Sequence, residues 1–349
     1  MGLKQVRLVI DMKIEQNDSI NAFIKELAVS IVDNNKLKTM IANMSERVIS
    51  YKEEEELLKE YRKYGINLQT LKYDVSELLN NPYYKNIKLN NVKLKDIGYV
   101  NKVLQSRKCL TMSYVKYTGR LLECYCDLGY FNKAVNIPIL TENDNVWMSS
   151  TISEHRSMEE HVNKANGNVL TFGLGIGYYP YMCLLKDNVE SITIIEVNQD
   201  IIDMFNKYIL PQFKTDKKVE IIKGDMYDYY NREFMSNFNY IFVDTWDSNE
   251  DGLVHYKKLM KTGIREANIG YWIEDSIIEN TKMLMAIYLK AIATNTFVEV
   301  LNKFDGINYE DLKRIHKYFR GIDKTVTDPQ DILNYIHDID TIRNILSLD

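Results

Sequence analysis

The chain has 349 residues, 45% of them apolar, which is enough for two or three domains with real cores. Charges nearly balance at a net −5, and no block of Lys and Arg is dense enough to track a phosphate backbone, so nucleic acid is not expected as a general partner. No uncharged apolar run approaches the roughly 18 to 20 residues of a membrane span.

The opening MGLKQVRLVIDMKIEQ carries charges too early for a signal core and has Val6 where a myristoylation signal needs Ser or Thr, so a cytoplasmic location without membrane attachment is expected. Ile20, Phe23, Ile24, Leu27 and Ile31 then fall on one helical face, and Leu37, Met40, Ile41 and Met44 continue it. YKEEEELLKEYRKYG predicts a charged helix ending at Gly65, its charge run a solvated face. Pro82 breaks the pattern, and a further helix is expected near Val92 to Leu104. LLECYCDLGYF and KAVNIPILTENDNVWM, separated around Gly129 and Asn132, read as the two arms of one β-hairpin.

From Asn168 the strands become short and wholly apolar and alternate with helical segments: VLTFG, SITIIE, VEIIKGD, YIFVDT, YWIED. That alternation predicts a doubly wound α/β fold, a mainly parallel sheet covered by helices on both faces. Helical patterns return after Ser276, with Asp328 as a cap ahead of Pro329 in the last part. The expected organisation is a helical region over 1–118, a β-hairpin linker over 119–148, a Rossmann-like domain over 149–276 and a helical region over 277–349. Cys109, Cys124, Cys126 and Cys183 form no C-x-x-C pair, and His155 and His161 lack a third ligand, so reduced thiols and no metal site are expected.

In VLTFGLGIGYYPY, Gly173, Gly175 and Gly177 follow a strand and precede a helix, an arrangement that aims backbone N–H groups at one point and admits a ligand against the main chain. The dinucleotide fingerprint needs a glycine where Tyr178 stands, which argues against a nicotinamide cofactor. Glu196 ends the next strand, about 20 residues on, where a carboxylate accepts hydrogen bonds from ribose hydroxyls; the bland alternative is a helix cap. Asp225 ends the third strand, placed to receive a donor such as an adenine amino group or simply to cap the helix behind it.

Together with FVDTWD, these residues resemble the class I S-adenosylmethionine-dependent methyltransferase superfamily, with most likeness to its spermidine synthase (aminopropyltransferase) branch over about residues 146 to 275. The resemblance implies S-adenosylmethionine, or its decarboxylated form, as cofactor. It places Gly173, Gly175 and Gly177 along the methionine moiety, Glu196 on the ribose, and Asp225 with the adjoining Met226 at the adenine. Asp244 and Asp247 match the D-x-x-D motif that binds and deprotonates an attacking amine, although Ser248 replaces the proline that normally follows.

Other departures count against polyamine synthesis. Ile176 stands where the branch has an aspartate in its glycine loop, and Ser157 and Met158 replace the tyrosine and histidine of an upstream E-x-x-Y-H-E element that retains Glu154 and Glu159. The sequence therefore favours methyl transfer to an unidentified acceptor, a small molecule or a protein, with aminopropyl transfer as the alternative and a non-catalytic nucleotide-binding or assembly protein as the third reading. Trp147, Glu154 and Glu274 are the expected walls of the acceptor pocket, Trp272 is expected in the core, and a homodimer is the candidate assembly.

Overall fold

The computed structural model describes residues 12–63, 65–117 and 124–349. A two-residue strand, β1 (Lys13–Ile14), leads into α1 (Asp18–Met44), whose start is fixed by the Asn17 side chain accepting the N–H of Ile20. Ile20, Phe23, Ile24, Leu27, Leu37, Ile41 and Met44 are buried as their spacing requires, while the side chain of Ile31 lies outside the described residues. The charged helix is α2 (Tyr51–Lys63), and Gly65 follows it at φ +75°. Its acidic run is the solvated face expected at Glu55 and Glu56, but not at Glu54. Glu54 is buried, and although burial works against the charge, donors from the Leu71 N–H, Tyr130, Arg107 and Thr70 hold its carboxyl below the usual range.

After the short helices α3 (Ser76–Asn80) and α4 (Pro82–Asn86) the chain turns to strands, and two expectations fail. The segment read as a helix near Val92 to Leu104 forms β2 (Val92–Leu94) and β3 (Ile97–Leu104), joined through Lys95 at φ +52°. Its Val and Ile residues fit a pleated surface, and the full register from Ile97↔Glu142 to Leu104↔Val135 overrides the local helical spacing. The region over 1–118 is thus helical only in its first part.

The proposed hairpin is also re-paired. β4 (Leu110–Tyr117) pairs with β5 (Cys124–Gly129), whereas β6 (Val135–Glu142) lies between β3 and β7 (Asn145–Ser149) in a sheet ordered β2-β3-β6-β7. The tight turn at Asn143 and Asp144, both at positive φ, closes β6 on β7 and leaves β5 to the strand before it.

The expected parallel sheet follows. α5 (Ile152–Lys164) precedes β8 (Gly167–Phe172), α6 (Tyr178–Leu184), β9 (Val189–Glu196), α7 (Gln199–Tyr208), β10 (Lys218–Lys223), α8 (Met226–Tyr229), α9 (Arg232–Met235), β11 (Tyr240–Val243), α10 (Asn249–Lys261) and β12 (Ile269–Tyr271). All pairings are parallel, in the order β10-β9-β8-β11-β12, so the fold is Rossmann-like α/β. The order reverses between β8 and β11, and connections leave that point toward opposite sides, opening a crevice at their carboxyl ends.

The remaining chain is α11 (Glu274–Ile277), α12 (Glu279–Ala293), α13 (Phe297–Leu301), α14 (Gly306–Arg320), β13 (Thr325–Val326), α15 (Pro329–His337) and α16 (Ile339–Ser347). Asp328 caps α15 by accepting the Gln330 N–H. β13 pairs in parallel with β1, and α1 packs on α12 and α15, so the two helical regions form one layer rather than separate flanks. Among the described residues, no helix is long and apolar enough to cross a membrane, and no cluster of His, Cys, Asp and Glu is arranged to hold a metal ion.

Candidate active site

The crevice at the reversal point is a cavity of about 350 Å³, within the size range of small-molecule sites. Its floor is the loop after β8. Gly173 lies at φ +96°, and a side chain there would fall on the carbonyl oxygen of Asp244, which follows the neighbouring strand β11. Gly175, at φ +53°, faces the Met148 sulfur, which a Cβ would meet at 2.5 Å. Both positions therefore need glycine, for conformation and for space. Gly177 has another job, heading α6 against the ring of Phe205 away from the cavity.

Glu196, at the end of β9, is buried and already half committed: Oε2 accepts the Leu174 N–H at 3.1 Å and Oε1 the Asn198 N–H at 2.7 Å. Burial raises its pKa, against the pull of those amides, and Glu142 across the cavity adds to the rise. Asp225 follows β10 and lines the cavity while its Oδ1 accepts the Tyr227 N–H at 2.9 Å, so the capping and site placements coexist. Met226 also lines the cavity, and its sulfur accepts from the Thr245 hydroxyl at 3.6 Å.

Asp244 sits partly open at the cavity floor. Its carboxyl is raised well above the usual range, first by desolvation and then by Glu154 and Glu196. Asp247, Glu154 and the half-exposed Trp147 line the same space. The structure thus brings together every predicted site residue except Gly177 and Glu274. Glu274 points elsewhere, against Arg343, whose Nη2 donates at 2.7 Å and Nε at 3.0 Å, while the Tyr256 hydroxyl donates to the same oxygen. Glu274 heads α11 directly after Ile273, which adopts φ +48°, and lines a separate cavity with Arg343.

Several lining residues were not anticipated. Trp272, expected in the core, is buried yet lines the cavity, its indole N–H donating to Ser157 Oγ at 2.8 Å. Trp246, inside the motif VDTWD, was available to sequence reading and overlooked. Tyr227 and His255, hydrogen-bonded at 2.7 Å, meet only because α10 folds back beside α8, which no local signal announces. Glu142 and Met148 come from the antiparallel sheet, whose placement against the crevice was equally invisible. His155 is buried, bonds Ser150 at 2.8 Å and stacks on Tyr178, while the partly buried His161 bonds Tyr240 at 2.8 Å, and desolvation pushes them down to about 3 and about 4.

No family model and no curated protein matches the chain. Among solved structures it is similar to the spermidine synthase of Thermotoga maritima, at 18% identity and a TM-score of 0.31, over 47% of this chain and 60% of that one. It is similar to the same degree to a spermidine synthase in complex with the transition state analogue AdoDATO, at 18% identity and a TM-score of 0.32, over 48% of this chain and 61% of that one. The match therefore spans about three fifths of the length of those structures.

Proposed function

We propose that the protein is a transferase that moves an alkyl group from the sulfonium centre of an adenosine-bearing cofactor, S-adenosylmethionine or its decarboxylated form, to an amine. The charge of the cavity carries this reading. Glu142, Glu154, Glu196, Asp225, Asp244 and Asp247 all face one ligand-sized space, with no Lys or Arg among the residues lining it. Such a space attracts a ligand with positive charge and repels an anion. The residues fit the group: Glu196 meets ribose hydroxyls, Asp225 an adenine amino group, and the Gly173–Gly175 loop lets the cofactor touch the main chain.

The same charge favours aminopropyl over methyl as the transferred group. A cofactor carboxylate would meet like charges here, whereas an aminopropyl chain ends in an ammonium that Asp244 and Glu154 can hold. Methyl transfer is the second reading, and Ile176 favours it: the loop position where the aminopropyltransferase branch has an aspartate is buried in the apolar core.

When bound, the cofactor supplies a carbon activated by positive sulfur. An amine held beside Asp244 and Asp247 would be placed to attack that carbon, with the sulfur as leaving group. The carboxyl of Asp244, raised well above the usual range by desolvation and by Glu154 and Glu196, would be drawn back down by the charge of a cation beside it. Asp247, at the exposed side of the cavity, takes the proton that the amine gives up.

The test is calorimetric titration with S-adenosylmethionine, its decarboxylated form and 5′-methylthioadenosine, on the wild type and on Asp225→Ser. Serine keeps the helix cap and removes the carboxylate. Binding by the wild type and about tenfold weaker binding by the variant, at unchanged stability, support the reading. No heat with any of the three at millimolar concentration overturns it, and equal affinities reduce Asp225 to a cap.

A further inference from the structure

Glu142 is the last residue of β6, and the sheet holds it on both sides, against Ile97 of β3 and Asn145 of β7. Side chains alternate along a strand, so Glu142 shares a face with Leu140 and, through the register, with Ile97 and Tyr99. Those three are buried in the core that also contains Ile194 and Ile195 of β9. The phenol of Tyr99 is raised by burial and then by the charge of Glu196, which ends β9. The face that carries Glu142 is therefore the one laid against the Rossmann-like unit, and Glu142 itself, half-buried, lines the cavity together with Glu196.

Asn198 links these two carboxylates. Its backbone N–H donates to Glu196 Oε1 at 2.7 Å and its side-chain Nδ2 to Glu142 Oε1 at 3.4 Å, while its Oδ1 accepts the Asp200 N–H at 3.0 Å. The long contact to Asn198 is the one hydrogen bond of the Glu142 side chain among the described residues, so most of its accepting capacity is open. Each oxygen of Glu196 takes one amide and has room for a second donor. Two acceptors of like charge, supplied by two different sheets, thus share one donor that is already spent. A ligand group with two adjacent donors relieves such a pair, and a cis-diol does so without charge.

We infer that Glu142 is a specificity-determining residue for the sugar of a riboside: one hydroxyl of the ribose cis-diol donates to Glu196 and the other to Glu142. The inference rests on the nucleoside reading above and adds to it a contact from outside the Rossmann-like unit. It gives the antiparallel sheet a share in ligand recognition and makes the site selective for ribosides that keep both hydroxyls.

The experiment titrates 5′-methylthioadenosine and its 2′-deoxy and 3′-deoxy analogues calorimetrically into the wild type and Glu142→Ala. The expected result is about tenfold weaker binding of the parent compound by the variant. On the wild type each missing hydroxyl should cost a similar factor, and the analogue lacking the hydroxyl held by Glu142 should bind both proteins alike. Equal affinity of wild type and variant for the parent overturns the inference and leaves the nucleoside site standing. A variant that loses the same factor with all three compounds also overturns it, because Glu142 then acts on no particular hydroxyl. 5′-Methylthioadenosine is uncharged, so a variant weakened only toward S-adenosylmethionine and its decarboxylated form gives Glu142 to a cation and overturns the diol contact. Absence of binding of every adenosine compound by the wild type overturns both readings. Should Glu142→Ala fail to fold, Glu142→Gln carries the same comparison, and a wild type indifferent to the loss of either hydroxyl overturns the inference without any variant.

Discussion

Gly173 and Asp244 meet where the sheet reverses its order: the backbone of one leaves no room for a side chain beneath the carbonyl of the other. Two neighbouring strand ends are thereby pinned together under the cavity, and the loop after β8 has a single path.

Substituting Gly173→Ala combines a left-handed backbone at φ +96° with a collision against main-chain oxygen, which cannot rotate away. A loss of about 3 kcal/mol or more is expected, read as a lower urea midpoint. A fully stable alanine variant that still binds nucleoside would show that the loop has other conformations available.

The pH dependence of Asp244 has a definite sign. Its pKa in the folded protein is raised, first by desolvation and then by Glu154 and Glu196, so the folded state keeps a proton that the unfolded chain releases. Its contribution is fully present below the unfolded value near 3.8 and is lost as pH rises toward the folded value. Asp244→Asn removes that loss. Urea unfolding at a series of pH values should show the variant gaining on the wild type by up to about 1.4 kcal/mol per unit from pH 4 upward. A gap that closes with rising pH would contradict the assigned burial.

Glu274 belongs to the scaffold. Its ion pair with Arg343, both side chains mostly buried, ties α11 to α16, and Glu274→Ala strands the guanidinium. The expected cost is about 3 kcal/mol, partly recovered by adding Arg343→Met, with nucleoside affinity unchanged in both. Weaker nucleoside binding in a well-folded Glu274→Ala would restore this carboxylate to the ligand.

The parallel sheet was legible because strands buried on both faces must be apolar throughout, as YIFV in β11 shows, and because glycine and carboxylate punctuate their ends. Gly173, Glu196, Asp225 and Asp244 fall on one crevice for that reason alone. The antiparallel strands were not legible. β3 is buried in an order that does not alternate, and its partner β6 lies some thirty residues away, so no local period identifies either. The His255–Tyr227 contact shares that difficulty. Glu274 misled because its carboxylate is taken by Arg343, far along the chain, and by Tyr256, a pairing that no local pattern announces.

The pairing of β1 with β13 has a consequence for how the chain matures. Lys13 pairs with Thr325, so the apolar stripe of α1 gains its full seat on α12 and α15 only after more than three hundred further residues have been made. The Rossmann-like unit, built from neighbouring segments, can settle first and serve as the template on which both ends close.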